Sequence, residues 1–207
     1  MSILALTSDT LIGTPATGNI EYSSPIFTGT SVGTQRGIVP TQQYYRLNAN
    51  YVGSNATGAQ SLFGVGVTLS SSTVYEFEIV FNLSRSAGST SHTIALGFGG
   101  VATVNNILYQ GYNNQLSSST PSGPSNGAGS SIANSVSSTV MTTTVTANNT
   151  NYFLLKGTVS INAGGTFIPQ YTLSAAPGGA YSTTAGSYIR INPLSASGAA
   201  TNVGTWA

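Results

Sequence analysis

Charge is nearly absent from this sequence. Five Lys or Arg and four Asp or Glu make up 4% of 207 residues, against about a quarter in ordinary soluble domains. The resulting net charge of +1 gives no electrostatic reason to expect nucleic acid, an anionic membrane surface or a polyanionic substrate. Cysteine is missing altogether, which removes disulfides and thiolate ligands and leaves stability to packing or oligomerisation. There is one histidine, His92, and one aspartate, Asp9. A histidine-based zinc site within one chain is thereby excluded, and a Ser-His-Asp triad is not expected. No apolar run reaches the ~18 residues of a membrane-spanning helix, and the opening MSILALTSDT lacks the basic start and long apolar core of a secretory signal. The expectation is a protein made in a cytoplasm, soluble there, without metal or cofactor.

What is present argues for a folded chain. Hydrophobic residues make up 40% of the sequence, with eleven Tyr and seven Phe, and mean hydropathy is +0.12. Low-charge disordered chains are poor in such residues. A chain of this length buries roughly 70% of its unfolded surface, enough for one core.

Residues 1–40 scatter Gly, Pro, Ser and Thr among isolated apolar side chains, without sustained periodicity. This predicts an extended N-terminal arm. Its apolar residues Ile3, Leu4, Leu6, Leu11 and Ile12, followed by Ile20, Tyr22, Ile26 and Phe27, are too many for a solvated linker. They are expected to lie against a surface, the protein's own or a neighbour's. From residue 41 to 207, short β-branched and aromatic runs alternate with turn clusters, the pattern of an all-β sandwich. Strands are predicted at 42–48, 61–69, 73–83, 91–98, 104–112, 136–147, 152–162, 166–174 and 187–193. The stretch from Asn113 to Asn134, NNQLSSSTPSGPSNGAGSSIAN, has almost no large apolar groups and reads as an exposed loop.

One segment invites a catalytic reading. VYEFEIVFNLSRSAGSTSHTIALGFGG, residues 74–100, holds Glu76, Glu78 and His92. Alternation along the first strand puts Tyr75, Phe77, Ile79, Phe81 and Leu83 on one face and both glutamates on the other. A hairpin pairing Phe81 with Ile94, Ile79 with Leu96 and Phe77 with Phe98 is one register that matches the apolar faces. The glutamates then point away from His92, and no proton can pass between them. As a pair they would stand about 7 Å apart, a spacing that glycoside hydrolysis uses, but partnership with Arg46, Arg85, Lys156 or Arg190 is the simpler expectation. His92, beside a turn, is expected to be packed or hydrogen-bonded. NAGGTFIP and APGGAY are Gly-rich but lack the Lys and following helix of a phosphate loop. No enzyme is expected.

The segment QRGIVPTQQYYRLNANYVGSNATGAQSLFGVGVTLSSSTVYEFE, then TSHTIALGFGG and GTVSINAGGTFIPQYTLSAAPGGAYSTTAGSYIRINP, resembles virion structural proteins of tailed bacteriophages of marine and cyanobacterial type. The resemblance covers about residues 35–207 and lies in the order of elements rather than in any one motif. It implies a jelly-roll domain akin to the tumour-necrosis-factor fold, assembled as a homotrimer on the virion surface. Contacts between copies are then expected from Tyr44, Tyr45, Tyr152 and Tyr188, with Arg46, Glu76 and Glu78. The function implied is a capsid decoration (cement) protein, whose arm reaches over the major capsid protein of the head shell. The alternative is the tip or adaptor of a tail or head fibre, with the 113–134 loop touching a host glycan or receptor.

Overall fold

Strict alternation along residues 73–84 decides the architecture. Every second side chain from Thr73 to Leu83 is buried and every other one is only partly covered, so this strand must lie in a sheet with one apolar face and one open face. A computed structural model describes residues 6–85, 87–116, 129–133, 136, 140–141 and 150–206. Among them there is no helix; all regular structure is antiparallel strand.

In chain order the strands are β1 (Ile20–Ser23), β2 (Ile26–Val32), β3 (Gln35–Val39), β4 (Gln43–Arg46), β5 (Tyr51–Val52), β6 (Gln60–Ser61), β7 (Val67–Leu69) and β8 (Thr73–Ser84). They continue as β9 (Ile94–Gly99), β10 (Thr103–Leu116), β11 (Gly129–Ala133), β12 (Val140–Met141), β13 (Thr150–Ala163), β14 (Gly165–Leu173), β15 (Ser182–Thr183) and β16 (Tyr188–Ala196). The larger sheet runs β11-β10-β13-β8, and the far edge of β8 is shared by β16, which carries β4, and by β15, which carries β5. The smaller sheet runs β12-β9-β14, with β6 and β7 both on the outer edge of β14. The pairings nest: β4 with β16, β6 and β7 with β14, β8 with β13, β9 with β12.

The two sheets close on an aromatic seam. Phe77 of β8 lies 5.2 Å from Phe98 of β9 and 6.2 Å from Phe167 of β14, ring centre to ring centre. Phe98 stacks on Phe167 at 4.5 Å and meets Tyr109 of β10 edge-on at 5.2 Å. Gly157 of β13 lies between Phe77 and Tyr109 in the register. A Cβ there would collide with the Leu108 carbonyl and the Tyr109 side chain.

Four expectations are corrected. β8 and β9 do not form a hairpin; they belong to different sheets. The matching apolar faces found in the sequence are real, but they meet face to face across the sandwich, where burial is more complete than between edge neighbours. Residues 20–39, expected as extended arm, form a separate three-stranded meander in the order β1-β2-β3. Its buried positions include Thr28 and Thr30 beside Ile26, so threonine hides the strand period from a hydrophobicity reading. The 113–134 stretch is likewise not all loop: β10 continues to Leu116 and pairs with β11, Asn113 opposite Gly129 and Tyr109 opposite Ala133. The 61–69 strand is split into β6 and β7 around Phe63 and Gly64, and most of the predicted 136–147 strand lies outside the described residues.

The seam makes a stability prediction. Phe77→Ala should lower unfolding free energy by about 3–5 kcal/mol, and Gly157→Ala by about 1–3 kcal/mol through overpacking. Urea denaturation monitored by circular dichroism measures both; losses below 0.5 kcal/mol would mean that the seam is not the core.

Candidate functional site

The sandwich, from residue 41 onward, carries six charged residues: Arg46, Glu76, Glu78, Arg85, Lys156 and Arg190. All except Arg85 stand on the outer face of the larger sheet, because the register lines them up in cross-strand rows. One row reads Tyr44, Arg190, Glu78, Lys156, Gln110 across β4, β16, β8, β13 and β10. On one side of it runs Asn192, Glu76, Thr158, Leu108, and on the other Arg46, Tyr188, Val80, Leu154, Tyr112. The outward positions of β9 and β14, such as Ala95, Gly97, Ile168 and Thr172, are uncharged. Large side chains are exposed on the charged face: Tyr44 and Leu108 are each 56% accessible, Tyr112 48% and Tyr152 46%.

Glu78 is the hub of this face. One carboxylate oxygen accepts from Arg190 Nη2 at 2.8 Å and the other from the Tyr188 hydroxyl at 2.9 Å, while Tyr188 leans on Tyr44 with ring centres 5.5 Å apart. Partial burial pushes the Glu78 carboxyl up, but the hydrogen bonds from Arg190 and Tyr188 and the attraction of Arg190 and Lys156 outweigh it and hold the pKa below the usual carboxylate value. The Tyr188 hydroxyl is raised, first by its bond to the Glu78 carboxylate. Lys156 and Glu76 are different: among the described residues neither makes an ion pair. They are diagonal neighbours, Lys156 opposite Glu78 and Glu76 opposite Thr158. Arg46 also makes no ion pair, its Nη1 donating to Asn48 Oδ1 at 2.9 Å, so the face presents two cations, Lys156 and Arg46, and one anion, Glu76, without a charged partner among the described residues.

Of the residues expected in contacts between copies, the structure brings Tyr44, Arg46, Glu76, Glu78, Tyr152 and Tyr188 onto this one face. Tyr45 is turned the other way, opposite the inward Ile189, with its ring edge-on to Phe63 at 6.1 Å. Lys156 and Arg190 were expected only as glutamate partners, and Leu108 and Tyr112 not at all. The alternation of β10 and β13 carries the signal for them, but only the strand order shows that five strands add their outward residues to one surface.

At one end of the face, a groove of about 740 Å³ opens between Tyr112, Tyr152 and the turn at 184–187. The turn is held to β8 by Asn82, whose carbonyl accepts from Thr184 N at 3.0 Å and whose amide N–H donates to Ser187 Oγ at 3.3 Å. A smaller opening of about 320 Å³ lies between the sheet edges beside Tyr45, Phe63 and Pro169.

His92 and Arg85 lie inside the sandwich instead. His92 is 2% exposed; its Nδ1 sits 2.8 Å from the Thr90 carbonyl and its Nε2 2.9 Å from the Tyr181 hydroxyl. Nδ1 therefore carries the proton and donates to Thr90, while Nε2 accepts from Tyr181. Arg85 donates to the Pro177 carbonyl at 2.7 Å and lies over the Tyr181 ring. His92 and the two glutamates are on opposite sides of the larger sheet, so no proton relay joins them.

In the arm, Arg36 holds Glu21 through Nε at 2.8 Å and also donates to the Ile12 carbonyl, and the Ile12 amide donates to Glu21. The bond from Arg36 is the main reason the Glu21 carboxyl is lowered. Tyr22 stacks on Phe27 at 4.5 Å and Ile26 is buried, whereas Leu6, Ile12 and Ile20 stay exposed, as do Val32 and Val39 of the meander. Leu11 is half-buried. Ile3 and Leu4 lie outside the described residues.

Among the described residues no three His, Cys, Asp or Glu side chains gather to hold a metal, and no helix is long and apolar enough to cross a membrane. No protein-family model matches the chain, and neither any curated protein nor any solved structure does.

The His92 site predicts a pH dependence. Burial, helped by Arg85 and opposed by the Thr90 carbonyl, lowers the His92 pKa below its ordinary 6.5. The unfolded chain thus binds a proton that the folded chain refuses, so stability is complete above pH 6.5 and declines as pH falls towards the folded pKa, by at most ~1.4 kcal/mol per pH unit. Thermal melts from pH 7.5 to 5 should show this decline, and His92→Gln should flatten it. An equal decline in the variant would remove His92 as the cause.

Proposed function

We propose that this protein is a virion structural protein: a homotrimeric jelly roll that decorates and stabilises a phage head shell. The nested pairing of β4 with β16, β6 and β7 with β14, β8 with β13 and β9 with β12 supports the jelly roll, since it is the order produced by rolling up one long antiparallel hairpin. Within that reading, β10 and β11 extend the larger sheet beyond β13.

The observation that carries the assembly is the gathering of Arg46, Glu76, Glu78, Lys156 and Arg190 on one face with Tyr44, Tyr188 and Leu108. Arginine and aromatic side chains are favoured at interfaces, and a face that carries an anion and cations without partners in adjacent rows offers both halves of a head-to-tail contact. Around a three-fold axis, Glu76 of each copy reaches Lys156 of the next. The number three comes from the resemblance to phage jelly rolls. The exposed Leu6, Ile12, Ile20, Val32 and Val39 supply an apolar patch on the N-terminal region for the shell. Its charged side chains, Asp9, Glu21 and Arg36, include an internal ion pair, so shell binding should depend little on salt.

Sedimentation at micromolar concentration should give a trimer. Lys156→Glu should weaken association at least ~10-fold, equivalent to about 1.4 kcal/mol, and Glu76→Lys combined with Lys156→Glu should restore it. A wild-type monomer, or a double variant no better than the single one, would contradict the interface. Removal of residues 1–40 should leave a trimer that binds heads weakly. Copy number tests location: on the order of hundreds per virion means shell decoration, whereas a few to tens would move the protein to a fibre tip.

A further inference from the structure

We propose that the groove between the 184–187 turn and the Tyr112–Tyr152 pair binds a neutral oligosaccharide. Its volume of about 740 Å³ falls within the ~300–1,000 Å³ of small-molecule sites. None of its lining residues is charged, although the charged row of the same sheet passes close by. The nearest charge is Arg46, whose Nη2 would lie 3.8 Å from a Cβ placed on Gly186 at the rim and whose Nη1 is already engaged by the Asn48 side chain. A phosphate, a carboxylate or a nucleic acid would meet that one guanidinium and no charge along the floor, which favours a neutral ligand.

The lining separates into two kinds of surface. Val80 and Leu154 face each other in register and form an apolar floor, flanked by Tyr112 and Tyr152. Tyr112 is opposite Leu154, two residues from Tyr152, so the two half-exposed rings are diagonal neighbours on adjacent strands. The other surface is polar: the side chains of Asn82, Asn114 and Ser187 and the backbone of 184–186. The side-chain carbonyl oxygens of Asn82 and Asn114 have no hydrogen-bond partner, an arrangement that costs stability until a donor reaches them. Rotation of either amide towards the groove presents that acceptor to a ligand.

A wholly apolar ligand fits the floor and leaves the amides unmatched. A sugar fits both surfaces: its C–H face, weakly positive, packs on the negative face of a tyrosine ring, and its hydroxyls donate to the amide oxygens and accept from the amide N–H groups. A second copy of the chain is the weaker occupant, because the unpaired Glu76 and Lys156 that would direct it stand on other rows.

Isothermal titration with neutral trisaccharides of glucose, mannose, galactose and N-acetylglucosamine, with a sulfated disaccharide as the anionic control, tests this. At least one neutral probe should bind with a Kd on the order of 1 mM or tighter, insensitive to salt. Tyr112→Ala and Tyr152→Ala should each weaken it at least ~10-fold with little change in melting temperature, since both rings are half exposed. Tyr152→Trp should retain binding, and Val101→Ala, far from the groove, should not alter it. Absence of binding by every neutral probe would overturn the proposal. Equal binding by the alanine variants, or salt-sensitive preference for the sulfated probe, would do the same. So would tyrosine variants that change sedimentation but not saccharide binding, which would assign the groove to contact between copies. Each result is separable from shell decoration, which is read by head binding and copy number.

Discussion

The two-residue period of β8 is the constraint on which the rest of the molecule depends. Its inward set, Tyr75, Phe77, Ile79, Phe81 and Leu83, binds the two sheets together, and its outward set, Glu76, Glu78, Val80 and Asn82, founds the charged rows and the groove. The Phe77 seam therefore fixes which residues face outward. A one-residue slip would bury both glutamates and expose three aromatic rings, so the register is strongly specified. In a chain with so few charges, that register also concentrates nearly all the sandwich's ionic chemistry on one surface.

That surface has a graded chemistry. Around Glu78 the charges are mostly satisfied within the chain, Arg190 and Tyr188 taking one oxygen each, which keeps the carboxylate ionised while it is partly covered. Glu76, Lys156 and Arg46 have no charged partner among the described residues and have most to gain from a neighbour. Towards the 184–187 turn, charge gives way to tyrosine, amide and backbone. The two proposed kinds of recognition, ionic between copies and neutral in the groove, would draw on one sheet, with Arg46 the charged residue that shares a row with the groove floor. His92 belongs to neither; with Arg85 it ties the connection between β8 and β9 to Pro177 and Tyr181, between β14 and β15, and makes that junction sensitive to acid.

The sequence was most legible where burial follows alternation. Both faces of β8, the extents of β13 and β14 and the inward packing of His92 could all be read from residue order. Partnering could not. The apolar faces of β8 and β9 match equally well side by side or face to face, and only the competing claims of β13, β14 and β16 for the same edges decide for the sandwich. β1, β2 and β3 were missed because Thr28 and Thr30 occupy buried positions that a hydrophobicity pattern treats as surface, and β11 because GSSIA holds a single large apolar residue, Ile132. At the candidate site, the outward direction of Glu76 and Glu78 was legible from alternation and Tyr44 and Tyr188 were legible only as candidate contacts, whereas Lys156, Leu108 and Tyr112 joined them only through strand order. Tyr45, next to Tyr44, necessarily faces the other way.

The central claim is that the charged rows form a contact between copies, and one lysine makes it directly testable. Lys156 is the only lysine in the sequence, so the only side-chain amine for a zero-length carbodiimide cross-link. In a mixture of ¹⁴N- and ¹⁵N-labelled protein, unfolded together and refolded, peptide mass spectrometry of the cross-linked product should find Lys156 joined to Glu76 with one light and one heavy partner. Cross-links only within single-label chains, or none to Glu76 in a protein that is nonetheless oligomeric, would contradict the account.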